Sequence, residues 1–169
     1  MHARASAARP AAETLAGALS RCGGGRAVST SVDGELIAAF RPREVMGLET
    51  AEWQLAIFDR LPERNQRRML VEILDDQEIR DALAERTTRA WLAGDLDAII
   101  ELSREGILTD PALERALNTD RNRAWTDAIV PLLEGGKRPF VAVGTFHMLG
   151  DRGLPALLAA RGYRVRRVQ

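Results

Sequence analysis

Two histidines, one cysteine and a scatter of carboxylates are the side chains of this 169-residue chain suited to acid–base, nucleophilic or metal chemistry. His147 has the most suggestive setting. It stands three residues after Gly144, just past the apolar run 140–143 (Phe-Val-Ala-Val). Such a run reads as a buried strand, and ligands of open parallel sheets bind beyond the carboxyl ends of strands. A glycine there lets the backbone turn and a ligand approach. Glu49 is placed alike, one residue past the apolar run 45–48. If the two strands lie parallel, Glu49 and His147 emerge on one edge. An imidazole and a carboxylate converging there can bind a divalent metal or share acid–base work. Arg121, at the start of the helix that precedes the second run, can pair with Glu49 or hold a substrate oxyanion.

Plainer roles compete for each residue. His147 can be a hydrogen-bonded loop histidine. Glu49 can place a negative charge at the N-terminus of the helix that follows it, and Arg121 can be a surface arginine of a first turn. Two protein ligands also fall short of the roughly three that a catalytic zinc takes. His2 lies in an Ala/Arg-rich start and is given no role. Trp53, Trp91 and Trp125 fall on apolar helical faces and read as core.

The elements that must position these residues are mainly helical. Asp33 caps a helix over 35–40 that Pro42 stops. Thr50 caps the next, with Trp53, Ile57 and Leu61 on one face, and Pro62 ends it and opens another striped by Met69, Leu70, Ile73 and Leu74. A less regular helical pattern through Ile79, Leu83, Ala90, Trp91 and Leu92 runs to Gly94. Asp95 caps 96–102, and Asp110-Pro111 is a cap and first-turn pair. A helix from about Asp120 buries Trp125, Ala128, Ile129, Leu132 and Leu133, kinked or split by Pro131 and closed by Gly135-Gly136. Then come the strand 140–143, a loop 144–150, a helix 154–160 and an edge strand 163–168 with an arginine-rich face. Three short strands separated by helices predict an α/β fold, helix-rich, with a small, mostly parallel sheet. Residues 1–30, with Gly23-Gly24-Gly25, read as a flexible N-terminal segment and 31–169 as the folded domain.

Composition excludes several classes. Hydrophobic residues make up 46% and charged residues 28%, with zero formal net charge. That is a globular balance, with no electrostatic footprint for nucleic acid or an anionic membrane. Lys137 is the only lysine, so the basic side is almost all arginine. Cys22 alone makes no disulfide framework and no multi-cysteine zinc site. No apolar run approaches the ~18 residues of a membrane span, and no signal peptide is expected from the start of the chain.

The stretch Gly47-Leu48-Glu49-Thr50 with Gln54-Leu55, Phe58 and Leu61-Pro62 resembles a GLET–x–xQL segment of the TraB/GumN family. Arg121-Asn122 with Trp125 resembles that family's RN–x–x–W helix start. Residues 140–150, ending Gly144-Thr145-Phe146-His147-Met148-Leu149-Gly150, are similar to its FVAVGxxHLxG motif, and Gly153-Leu154, Leu157-Leu158 and Gly162-Tyr163-x-Val165 continue it. The similarity covers roughly residues 32–169, the C-terminal half of the family's domain. The family is similar to TIKI-type metalloproteases, which carry two GxxH motifs. The resemblance implies a metal-dependent, peptidase-like hydrolase with Mn, Co or Zn as cofactor and a peptide or other small substrate. It makes His147 the histidine of the second motif, Glu49 the site glutamate and Arg121 a further site residue. The first GxxH motif is missing from this sequence. Ligands from a homo-oligomer partner or from a missing N-terminal half would then complete the site. The competing expectation is a non-catalytic remnant, a binding-only domain or a truncated gene product. Relatives are often envelope-associated.

Overall fold

A computed structural model describes residues 32–40, 45–74 and 77–168. The chain forms two compact units, Met1–Arg60 and Leu61–Gln169. The first contains α1 (Val32–Phe40) and α2 (Ala51–Arg60). The second contains α3 (Glu63–Leu74), α4 (Gln77–Ala93), α5 (Leu96–Ser103), a 3-10 turn (Gly106–Thr109), α6 (Pro111–Glu114), a π-turn (Arg115–Thr119), α7 (Asp120–Glu134), a 3-10 turn (Thr145–Met148) and α8 (Leu154–Ala160). The predictions for His2, Cys22, the 1–30 segment and Pro42 fall outside the described residues.

Among the described residues there is no strand and no sheet, which overturns the predicted α/β fold. The three segments read as strands are irregular, and their side chains are largely exposed: Val45 at 52%, Phe140 at 64% and Val168 at 88%. Four consecutive apolar residues say only that the chain is apolar there. A strand exists by virtue of the backbone partner beside it, and no periodicity within one segment supplies that partner.

The helices follow their local signals. The amide of Trp53 donates to Thr50 Oγ1 at 3.2 Å, that of Ala98 to Asp95 Oδ1 at 3.0 Å, and those of Ala112 and Leu113 to Asp110 Oδ1 at 2.8 and 3.2 Å. Each cap satisfies amides that the first turn leaves without an intrahelical acceptor. The Ala112 amide is the largest influence holding the Asp110 carboxyl below its ordinary value of 3.8; desolvation opposes it, and the Leu113 amide, the Arg68 guanidinium and the Asn65 side chain restore the lowering. Arg68 also ties α3 to this cap, donating to Thr109 Oγ1 at 2.8 Å.

In the second unit, Ala90 of α4 packs with Ile99 and Leu102 of α5, and Leu83, Ala98, Phe146 and Leu149 lie against that cluster. Burying one such aliphatic side chain contributes about 1.5–3 kcal/mol. Trp91, expected in the core, is 56% exposed, and Ala128 is also exposed. Ala90 takes the inward position on α4, and its neighbour Trp91 lies about 100° round the helix from it. The long helix is not split at Pro131; α7 runs through it to Glu134.

The π-turn explains how one long helical path keeps one face inward. Leu113 and Asn122 are both fully buried. Nine residues of regular α-helix would set them about 180° apart. The wider turn at 115–119 absorbs about one residue and brings the angle to roughly 80°. Leu113 thereby shares a face with Asn122, Trp125 and Ile129. Thr119, in the π-turn, is buried and donates its hydroxyl to Glu114 Oε1 at 2.7 Å.

Candidate functional site around His147

His147 sits on the 3-10 turn Thr145–Met148, its amide bonded to Gly144 O at 3.0 Å. It is half-buried. The role expected of Gly144 is not the one it plays. Its φ of −60° is open to any residue, and a Cβ there would meet His147 Cδ2 at an ordinary 3.7 Å. The glycine that shapes the site is Gly153. A Cβ at Gly153 would lie 2.6 Å from Leu149 O and 2.8 Å from Leu149 N, both backbone atoms. Its bare backbone lets the segment carrying His147 pack onto the start of α8.

The imidazole is held by α7. His147 Nδ1 lies 2.7 Å from Asn122 Oδ1. Asn122 Nδ2 donates to Arg152 O at 2.8 Å and to Asn118 Oδ1 at 3.3 Å. Those two bonds use both amide hydrogens and fix which end of the amide is oxygen. Asn122 Oδ1 must therefore accept, and His147 Nδ1–H donates to it. The proton on Nδ1 puts the imidazole lone pair on Nε2. Asn122 itself is anchored: it is wholly buried, and its backbone carbonyl accepts from Thr126 Oγ1 at 2.7 Å.

Trp125, expected as core, is buried and also forms a wall of the site. Its ring centroid lies 4.5 Å from that of His147 at 47°. The guanidinium of Arg121 covers the Trp125 ring at 4.7 Å and donates to Leu117 O at 3.1 Å. Arg121 is thus not a first-turn arginine, because the helical path begins at Pro111. The structure brings Arg121, Asn122, Trp125 and His147 together. Glu49 belongs to the first unit, half-buried at a bend just before α2.

Asn122 and Trp125 were missed as site residues. One signal was readable: positions 122, 125, 126 and 129 form a single buried helical stripe, and a polar asparagine on such a stripe needs a specific partner. The identity of that partner, 25 residues away, was not readable.

A metal centre can be tested against the donors. Among the described residues no three His, Cys, Asp or Glu side chains are grouped to hold an ion. One imidazole with a fixed tautomer is the right kind of ligand, with an orienting partner on its other nitrogen. It is fewer than the roughly three donors such a centre takes. The grouped residues therefore do not fit a complete Mn, Co or Zn site. No described helix is long and apolar enough to cross a membrane.

Compared with known proteins, residues 3–167 match the model of the TraB/PrgY/gumN family. That span is wider than the 32–169 resemblance read from motifs and takes in most of the first thirty residues. No curated protein and no solved structure matches the chain.

Proposed function

The chain belongs to the TraB/PrgY/gumN family, and on that premise we propose that it is a hydrolase domain of peptidase-like chemistry centred on His147. The observation that carries this reading is the buried Asn122 that holds His147 Nδ1–H at 2.7 Å. A histidine with one tautomer enforced by a wholly buried amide presents a defined lone pair at Nε2. That is the arrangement a general base needs, and equally what a metal-ligating imidazole needs. In the acid–base role Nε2 takes the proton of an attacking water and returns it to the leaving amine. Arg121, whose guanidinium lies 4.7 Å from the centre of the Trp125 ring that contacts His147, is the positive charge offered to a developing oxyanion. Glu49 is the family's site glutamate by resemblance alone; it belongs to the first unit, and no step is assigned to it.

The metal-dependent form of this chemistry needs donors beyond those grouped among the described residues, so no step is assigned to an ion. The incomplete donor set favours a second reading, a binding-only domain that keeps the fold without turnover.

Calorimetric titration with Mn²⁺, Co²⁺ and Zn²⁺, run beside a peptide-hydrolysis assay, separates these readings. Saturable metal binding that His147→Ala abolishes, with hydrolysis lost in the same variant, supports a metal-dependent hydrolase. Hydrolysis that needs His147 without any metal supports the acid–base form. Absence of both in the wild-type chain refutes the hydrolase reading and leaves the binding-only domain.

A further inference from the structure

The asparagine that holds His147 is placed by α7, and α7 is entered through the π-turn Arg115–Thr119. The Asp120 amide donates to Arg115 O, five residues back, where a regular helix would use the fourth. Such turns are rare and occur mostly singly, often at functional sites.

One side-chain bond is tied to this register. Thr119 Oγ1 donates to Glu114 Oε1 at 2.7 Å, again across five residues. In a regular α-helix, residues five apart point about 140° away from each other, and the side chains that meet are three or four apart. The wider turn brings the fifth residue back over the first, so this bond belongs to the π register. A hydroxyl donating to a carboxylate makes one of the stronger hydrogen bonds. Thr119 is buried, which strengthens the bond further.

Glu114 has a second arm. Its Oε2 accepts from Arg152 Nη1 at 3.2 Å, and the Arg152 carbonyl accepts from Asn122 Nδ2 at 2.8 Å. The Arg152 side chain is 60% exposed, and an ion pair so open to water contributes little. The Thr119 arm is the shorter and the drier of the two.

We propose that Thr119 and Glu114 are positioning residues for His147. Their hydrogen bond holds the π register that sets Asn122 Oδ1 against the imidazole, and so keeps the imidazole proton on Nδ1. Closing the turn to α geometry would rotate the helix beyond it by about 100° relative to α6. Asn122 Oδ1 would then leave its place 2.7 Å from Nδ1. Trp125 and Ile129, buried on the same helix, resist that rotation, so losing the bond leaves a mixture of registers rather than a complete switch. The tautomer follows from this geometry whether or not the domain hydrolyses anything; only an effect on turnover rests on the hydrolase reading.

The test reads the imidazole ¹⁵N shifts of His147 in the full chain, with His147→Ala identifying the signal, and hydrogen exchange at the Asp120 amide. Thr119→Val keeps the shape and removes the donor. It is expected to turn the Nδ1-protonated form into a tautomer mixture and to speed Asp120 exchange about tenfold relative to Trp125 and Ile129. Thr119→Ser keeps the hydroxyl and is expected to read as wild type in both. Glu114→Gln keeps an acceptor for Thr119 while giving up the charge on Arg152, and is expected to keep the wild-type tautomer. Glu114→Leu removes both arms at a less buried position, which keeps the test open if Thr119→Val does not fold, and is expected to give the mixture. A wild-type tautomer in folded Thr119→Val or in Glu114→Leu overturns the proposal. So does a mixture in Glu114→Gln equal to that in Glu114→Leu, because the Arg152 arm would then be the positioning one. Hydrolysis is followed in the same samples. The expected tautomer shifts with no hydrolysis in the wild type sustain the positioning role and count against the hydrolase.

Discussion

Replacing Asn122 by alanine tests how His147 is held. The amide makes two short hydrogen bonds, with His147 Nδ1 at 2.7 Å and Arg152 O at 2.8 Å, and one longer bond to Asn118 Oδ1 at 3.3 Å. Each short bond contributes about 1 kcal/mol net, and the long one less. The Arg152 carbonyl faces a wholly buried amide, so losing that bond adds about 1 kcal/mol. The half-buried His147 N–H is also partly shielded from water, and truncating a fully buried side chain leaves a small void. Together these predict a loss of about 2–3 kcal/mol in urea unfolding. Asn118→Ala, which removes only the long bond, should cost about 0.5 kcal/mol or less. Imidazole ¹⁵N shifts, with His147→Ala identifying the signal, should show the proton on Nδ1 in the wild type and a tautomer mixture in Asn122→Ala. Any hydrolysis should fall about 10–100-fold, the usual effect of removing a partner that orients a functional histidine. A stability loss below about 1 kcal/mol, or a wild-type proton on Nε2, refutes the reasoning.

Two further outcomes follow from the frame around the site. The folded-state Asp110 carboxyl titrates below 3.8, so its contribution is complete above that pH and is lost as pH falls through the lower folded value. Asp110→Ala should therefore show a shallower loss of stability than the wild type below pH 3.8; parallel acid limbs would contradict the cap's role. Gly153→Ala drives a Cβ to within 2.6 Å of Leu149 O, and the cost should be about 1–3 kcal/mol. A displaced His147 ¹⁵N signal should accompany that cost, since the 3-10 turn must shift. Unchanged stability and an unchanged histidine signal would mean that the contact relaxes freely.

Much of the helical layout is written in short-range chemistry. Thr50, Asp95 and Asp110 cap the helices they precede because a side-chain oxygen satisfies amides two or three residues on, wherever the rest of the chain goes. The motifs around Glu49, Arg121 and His147 likewise pointed to the family, because a motif is a local pattern of residues. What could not be read was anything that depends on a partner segment. The runs 45–48, 140–143 and 163–168 carry strand-like composition, yet pairing is a property of two segments, and none of these runs is paired among the described residues. Trp91 and Ala90 are neighbours with opposite fates, since a helical phase is set by what packs against it.

The site divides in the same way. The sequence alone pointed to His147 and Arg121 through two separate family-like motifs and determined that the chain is rich in helix. Tertiary structure decided that Asn122 rather than a carboxylate holds the imidazole, that Trp125 touches both Arg121 and His147, and that Gly153 rather than Gly144 sets the close approach. It also decided the phase of the long helix, through a π-turn that keeps Leu113 and Asn122 on one face. The physical reason is range. Caps and motifs act over a few bonds of chain. The tautomer of His147 depends on a hydrogen bond across 25 residues of sequence, and only the folded packing brings its ends together.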